Sequence, residues 1–178
     1  MNKSIQLLHD NGISTWNELT EFVKNIPYGR NANRTDFSLV LTENKGTCSS
    51  KHALLKEVSS NFTNDEVKLI IGIFKMDGNN IPKINEILVK NDIDYIPEAH
   101  CYLKINGIPN DFTVEDSLYP KIENDILNEI EIEPYQVADF KVDYHKDFLK
   151  KWIADTNQSK NFEEFWMIRE KCIEKLSE

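Results

Sequence analysis

The chain has 178 residues, of which 40% are hydrophobic and 29% charged, a composition typical of one globular domain with its own core. Its apolar runs, such as LIIGIF at residues 69–74, are far too short to span a membrane, and its net charge of −9 opposes non-specific binding of nucleic acid. We therefore predict a single domain over residues 1–178, with a core at about 14–115 and an acidic, helical extension at about 116–178.

The N-terminal residues MNKSIQLLHDNG lack an extended apolar core and a small-residue cleavage site, so they do not resemble a secretory signal. Cys48, Cys101 and Cys172 are widely spaced and odd in number, which suits a reducing compartment better than a disulfide framework. None of them belongs to a CxxC pair, so we expect no metal site. We expect a cytoplasmic protein that binds neither membranes nor nucleic acid.

The first predicted helix has Ser14 as its N-cap, and apolar residues at helical spacing extend it to about Ile26. The polar segment PYGRNANR ends this helix, and the run DFSLVLT that follows is typical of a short strand. A second helix is predicted from Thr47 onward, with Gly46 and Thr47 as its turn and N-cap.

The nearly continuous apolar segment EVKLIIGIFKM predicts a central strand that is buried on both faces. A short helix with Asn80 as its cap and Pro82 near its first position carries KINEILVK. The alternating runs HCYLKI and NDFTV are joined by NGIP, where Asn106 and Gly107 are the strongest hairpin signal in the chain. With further helices near residues 145–155 and 161–176, the order of elements predicts an α+β fold.

The segment from Glu115 to Asp147 contains ten acidic residues and three lysines. Such a segment forms either a solvated acidic surface or an acidic groove for a cationic partner. The sequence leaves both interpretations open.

Cys48 is the first candidate for a catalytic nucleophile. In the first turn of a helix, unsatisfied backbone N–H groups and the positive end of the helix dipole favour its thiolate form. The same N–H groups can stabilise an oxyanion during acyl transfer. The alternative is that Cys48 is a small, buried apolar residue within a helical pattern.

A nucleophilic cysteine needs a histidine partner, and the chain has four histidines. His52 lies one turn after Cys48, but its side chain points back toward the helix N-terminus and would crowd the thiolate. We expect His9 and His145 to be surface residues. His100, which begins a predicted strand, is the preferred partner because a strand edge can hold an imidazole beside a helix N-terminus.

The predicted hairpin offers a carboxylate to orient His100. Asp111 lies on the second predicted strand, where a tight turn would place it nearer Lys104 or Ile105. A carboxylate on an adjacent strand can still reach His100, particularly if a bulge or longer loop shifts the pairing. Asp111 could instead cap the turn, and Asp116 is then the fallback carboxylate.

Three motifs together resemble the transglutaminase-like superfamily, a branch of the papain-like cysteine enzymes. They are GTC followed by a helix, the later HCYLKINGIPNDFT and the upstream IPYG, and they span roughly residues 20–115. The resemblance implies that Cys48 is the nucleophile, His100 the general base and acid, and Asp111 the residue that orients His100. It further implies a nucleophile helix packed on a small antiparallel sheet, a thioester intermediate, and no need for a metal or organic cofactor.

Tyr102 agrees with the aromatic residue that many relatives have two positions after the histidine. Pro109 and Asn110 replace the usual tryptophan before the aspartate, which changes the wall of the substrate cleft. The resemblance also implies a second oxyanion donor upstream of the nucleophile, for which the candidates are Tyr28, Arg30, Asn31 and Asn33. The glycine-rich signature of arylamine N-acetyltransferases and the zinc-binding cysteine pairs of peptide N-glycanases are absent, so neither relative is favoured.

We therefore expect a cysteine-dependent acyl-transfer enzyme that hydrolyses an amide or peptide bond in a peptide, amide or protein substrate. The alternative is a non-catalytic binding module of the same fold, which would use its acidic segment or its aromatic final helix. A third interpretation is a fortuitous match in an unrelated α+β protein, in which Cys48, His100 and Asp111 do not converge.

Overall fold

The computed structural model of the chain describes residues 3–176, which form an α+β fold with one four-stranded antiparallel sheet. The strands are β1 (Val67–Met76), β2 (Ile96–Ile105), β3 (Ile108–Asn110) and β4 (Ile126–Ile132). The helices are α1 (Lys3–Asp10), α2 (Trp16–Asn25), α3 (Leu39–Thr42), α4 (Cys48–Val58), α5 (Asn85–Lys90), α6 (Tyr119–Ile122), α7 (Asp139–Asp155) and α8 (Phe162–Leu176). Within residues 3–176, no helix is long and apolar enough to cross a membrane.

The isoleucine-rich segment forms the central strand β1, as its continuous apolar pattern predicts. Strand order is β3-β2-β1-β4, and β1 pairs antiparallel with both β2 and β4. Eight of its ten residues are buried, since helices and connecting segments cover both faces of the sheet.

The hairpin between β2 and β3 closes through the predicted two-residue turn. Asn106 and Gly107 have positive φ angles of 50° and 81°, which is the backbone that a tight primed hairpin turn requires. Its register pairs Ile105 with Ile108 and Leu103 with Asn110. The prediction of a strand at NDFTV is wrong in position, because β3 covers Ile108–Asn110, directly after the turn, and residues 111–114 lie outside any strand.

Two hydrophobic cores hold the helices against the sheet. In the first, helices α1, α2 and α4 pack on the strands through buried residues that include Leu8, Leu19, Val23, Leu54, Leu55, Ile71 and Cys101. In the second, α5, α7 and α8 pack through Phe74, Met76, Leu88, Leu149, Phe165, Ile168 and Cys172. Helix α4 therefore lies on the antiparallel sheet.

The start of α4 is held by side chains on both sides of Cys48. Thr47 Oγ1 accepts a hydrogen bond from Ser50 N at 3.3 Å, and Ser50 Oγ accepts one from Thr47 N at 2.9 Å. This reciprocal capping box satisfies donors that the helix itself leaves unpaired. Gly46 precedes it because a Cβ there would lie 2.8 Å from Lys51 Cγ and 3.3 Å from Val40 Cγ1.

The prediction of a strand at DFSLVLT is wrong, since residues 39–42 form α3. Asp36 Oδ1 accepts hydrogen bonds from the backbone and hydroxyl of Ser38, which starts a local turn. Thr42 N then donates to Ser38 O, so the backbone groups are paired locally and not with a neighbouring strand.

Other boundaries also differ from the prediction. Thr15, and not Ser14, is the N-cap of α2 and forms a capping box with Glu18. Asn80 does not cap a helix, because its side chain accepts from Asp77 N and donates to Lys75 O. The prediction missed α1 and β4, and α7 begins before the expected residue 145.

The acidic segment contributes β4 to the edge of the sheet and pairs with lysines of other strands. Glu129 lies 2.6 Å from Lys104 Nζ, and Glu131 lies 3.4 Å from Lys68 Nζ. The segment is therefore anchored in the fold and is not a loose extension.

Candidate functional site

Cys48, His100 and Asp111 come together at the start of α4. Cys48 is the first residue of α4, His100 lies on β2, and Asp111 follows the last residue of β3. His100 Nε2 is 2.9 Å from Asp111 Oδ2, and the His100 ring lies close enough to Cys48 for each group to shift the pKa of the other. A fortuitous match would not predict this convergence.

The hairpin register explains how Asp111 reaches His100 without a bulge. Extending the β2–β3 pairing by one residue beyond Leu103 and Asn110 places Asp111 opposite Tyr102, and His100 is then its diagonal neighbour. The expectation that a tight turn would leave Asp111 nearer Lys104 or Ile105 is therefore wrong.

Asp111 is a buried acceptor, and it does not cap the hairpin turn. Its Oδ1 accepts from the backbone and hydroxyl of Thr113 at 3.0 and 2.6 Å, and its Oδ2 also accepts from Leu118 N at 3.1 Å. Burial opposes ionisation, but His100 and these donors hold the pKa of Asp111 well below its usual range. The fallback residue Asp116 is exposed and pairs with Lys121, away from this cluster.

Cys48 and His100 each favour the charged form of the other. The pKa of Cys48 lies well below the usual range of a thiol because the Cys101 thiol, Lys141 and His100 all stabilise the thiolate, which together outweigh burial. Burial opposes a charged imidazole, but Asp111 and Cys48 raise the pKa of His100 to about 10. Nε2 of His100 binds Asp111, so its other nitrogen, Nδ1, is available to Cys48.

Lys141 is a functional residue that the sequence analysis missed. Its Nζ donates to Ser49 Oγ at 2.8 Å and lies 3.8 Å from Cys48 Sγ. It lies on α7, 93 residues from Cys48 in sequence, and no motif linked it to the cysteine. Its approach adds a second cation beside the thiolate.

The start of α4 also offers donors for an oxyanion. The N–H groups of Cys48 and Ser49, the first two helical residues, have no acceptor one turn earlier in the helix. Tyr28 lines the same cleft with 45% of its surface exposed, and partial desolvation of its hydroxyl together with the charge of Cys48 raises the pKa of Tyr28 to about 12, so its hydroxyl keeps its proton at neutral pH.

The other proposed upstream donors are less suited to that role. The Asn31 amide nitrogen already donates to Glu43 Oε2 and Lys45 O, and Asn33 is not among the residues that line the cleft. Arg30 also lines the cleft, but Cys48 shifts the pKa of Tyr28, which indicates that the Tyr28 hydroxyl lies near the thiol. Tyr28 is therefore the upstream residue that best fits a second donor.

His52 is buried, but it holds the backbone and does not serve the thiol. Its Nδ1 donates to Cys48 O and its Nε2 accepts from Phe112 N, both at 2.8 Å, so the proton lies on Nδ1. Burial lowers the pKa of His52, which keeps the ring neutral. The ring thus ties the loop that carries Asp111 to the start of α4.

Lys51 is a second buried side chain that holds the loop after Asp111 in place. Its side chain is fully buried, and its Nζ donates to Thr113 O at 2.6 Å and also to Ile26 O. Burial lowers the pKa of Lys51 to about 8, so the ammonium form still predominates at neutral pH. This contact joins the end of α2 to the loop after Asp111.

His145 is not the surface residue expected, whereas His9 is exposed as predicted. Only 3% of His145 is accessible, and its Nε2 donates to Pro97 O at 2.7 Å. Beside it, Glu98 accepts two hydrogen bonds from Arg169 at 2.7 and 2.6 Å. His145, Glu98 and Arg169 all line the cleft.

The cleft has a volume of about 260 Å³, and Cys48 is part of its lining. Cys48 is buried, with 8% of its surface exposed, but it borders a space that a small substrate group can enter. Within residues 3–176, no group of three or more histidine, cysteine, aspartate or glutamate side chains is placed to hold a metal ion.

Comparison with known proteins gives no relative. No family model matches the chain, and no curated protein or solved structure matches it significantly. The chemistry of the site must therefore follow from its own geometry.

Proposed function

We propose that the protein is a transglutaminase-like cysteine hydrolase that cleaves an amide or peptide bond through a thioester on Cys48. The observation that best supports this proposal is the convergence at the start of α4 of Cys48, the first helical residue, with a histidine that is hydrogen-bonded to a buried aspartate. The pKa shifts of the three groups are in the direction that thiol acyl transfer needs.

In the first half of the reaction, the Cys48 thiolate attacks the substrate carbonyl carbon, and the carbonyl oxygen becomes an oxyanion. The N–H groups of Cys48 and Ser49 and the hydroxyl of Tyr28 donate to that oxygen. As the C–N bond breaks, the protonated His100 gives its proton to the departing nitrogen, which leaves as an amine or ammonia. The products of this half are a thioester and a neutral imidazole.

In the second half, His100 acts as a base. It takes a proton from water, and the resulting hydroxide equivalent attacks the thioester carbonyl. The C–S bond then breaks, which releases the carboxylic acid and restores the Cys48 thiolate and the protonated His100. Asp111 remains ionised throughout and keeps the imidazole oriented.

The binding-module alternative has less structural support. Phe165 on α8 is 1% exposed and belongs to the second core, and Phe162 and Trp166 pack partly against the same core. The aromatic helix therefore stabilises the fold and does not present a flat recognition surface.

An activated ester tests the proposal directly. With 4-nitrophenyl acetate, we expect a burst of 4-nitrophenolate, an acetyl group on Cys48 detectable by mass spectrometry, and slow turnover. Cys48→Ser and His100→Asn should each remove the burst. Ester cleavage that is unaffected by both substitutions would contradict the proposal, as would equal acetylation of all three cysteines.

A further inference from the structure

The cleft beside Cys48 contains positive charge that the fold does not neutralise. Four of its lining residues are cationic, namely Arg30, Arg34, Lys141 and Arg169, and two are acidic, namely Glu98 and Glu170. Both acidic residues bind Arg169, with oxygen to nitrogen distances of 2.6 Å. The charge of Arg169 is therefore compensated within the wall.

The other three cations differ from Arg169 in this respect. Within residues 3–176, no carboxylate lies within ion-pair distance of Arg30, Arg34 or Lys141, although Lys141 faces the Cys48 thiol. Lys141 lies against the thiolate and Ser49, so its charge is directed at the reacting atoms. Arg30 and Arg34 are exposed, and they lie in the segment between α2 and α3, at the mouth of the cleft.

This local charge is opposite in sign to that of the protein as a whole. The chain has a net charge of −9, which repels anions at long range. Arginines without a carboxylate partner on such a protein therefore attract anions at short range, close to the arginines themselves. A guanidinium can bind a carboxylate or a phosphate through two parallel hydrogen bonds.

We propose that the acyl donor carries an anionic group, a carboxylate or a phosphate, which Arg30 and Arg34 bind at the mouth of the cleft while Cys48 attacks the neighbouring carbonyl. This inference rests on the proposed function, because it names the substrate class of the same site. Lys141 acts at the thiolate, and the two arginines determine specificity.

Paired alkylating agents test the anion preference without a known substrate. Iodoacetate and iodoacetamide react with a thiolate in the same way but differ by a carboxylate, so the ratio of their rates at Cys48 measures the preference for an anion. The reference is the same ratio at Cys48 in urea-unfolded protein. We expect the folded protein to favour iodoacetate by about tenfold relative to that reference, since several cations surround the thiolate.

The two arginines should account for part of this preference. We expect Arg30→Gln and Arg34→Gln each to lower the ratio by about threefold, with a larger loss in the double variant and a smaller difference at high salt. The matched control is the double variant Lys83→Gln, Lys90→Gln, which removes the same charge from exposed lysines outside the cleft and should leave the ratio unchanged. Circular dichroism verifies that each variant is folded.

Protection experiments distinguish the two anions. Succinate and inorganic phosphate are each added during labelling with iodoacetamide, and slower labelling that requires both arginines identifies the preferred group. A ratio equal to that of unfolded protein would overturn the inference, as would a ratio that is unaffected by removing both arginines. Failure of the proposed function looks different, because labelling by iodoacetamide would then not depend on His100.

Discussion

Gly72 lies directly opposite His100 in the register of β1 and β2. A Cβ at Gly72 would lie 2.8 Å from Tyr102 Cε1, so only glycine lets the Tyr102 ring cross β1 at this point. The same ring stacks on His100, with 6.2 Å between ring centroids, and its hydroxyl donates to Glu129. The central strand therefore has a glycine where the ring beside His100 needs space.

We expect Gly72→Ala to reduce the rate of Cys48 acylation by about tenfold or more, because the displaced Tyr102 ring shifts the imidazole that it contacts. The burst of 4-nitrophenolate measures this effect. Combining Gly72→Ala with Tyr102→Leu removes the steric conflict, so the double variant should lose less than the sum of the two single effects. Strict additivity would show that Gly72 does not act through Tyr102.

Lys141 is expected to stabilise the thiolate. Its charge is one cause of the lowered pKa of Cys48, so Lys141→Met should raise that pKa and slow alkylation by iodoacetamide at about pH 6 by roughly tenfold. The control is Lys151→Met on the same helix, whose ammonium is exposed and pairs with Asp155. An unchanged pH profile in Lys141→Met would contradict this role.

The pH dependence of alkylation follows from the directions of two pKa shifts. The lowered pKa of Cys48 keeps the thiolate populated as the pH falls below the usual range of a thiol. The raised pKa of His100 keeps the imidazole protonated until the pH approaches about 10. The rate should therefore vary little from mildly acidic pH to about pH 9, where an ordinary thiol gains reactivity steeply.

Asp111→Asn should change this profile. Without the carboxylate, the pKa of His100 falls from about 10 toward its ordinary value, and the imidazolium no longer holds the pKa of Cys48 down. Alkylation should then become pH-dependent in the neutral range, and the His100 ring should titrate there by NMR. A His100 signal that still titrates near pH 10 would rule out Asp111 as the cause.

Lys51 is expected to matter for stability. Lys51→Met leaves the buried carbonyl oxygens of Ile26 and Thr113 without their donor, which should lower the free energy of unfolding by about 1–3 kcal/mol. Urea denaturation measures this loss, with Lys90→Met as the exposed control. Equal midpoints for the two variants would show that Lys51 is dispensable.

Short sequence patterns were enough to predict several elements of the fold. The apolar run of β1, the Asn106–Gly107 turn and the helix that follows Thr47 were all predicted correctly, since each depends on residues that are adjacent in sequence. The failures were segments whose state depends on distant partners. β4 is an acidic strand that pairs with the edge of β1, and residues 39–42 form a helix in which the backbone groups pair locally.

The sequence by itself identified the candidates Cys48, at a predicted helix start, and His100 and Asp111, around one predicted hairpin. Only the tertiary structure decided their surroundings. It placed Lys141 beside the thiol across 93 residues, buried His52 and Lys51 as supports for the Asp111 loop, and left Arg30 and Arg34 unpaired at the cleft. The physical reason is that hydrogen bonds, burial and electrostatic interactions depend on distance in space, whereas spacing along the chain reports only local geometry.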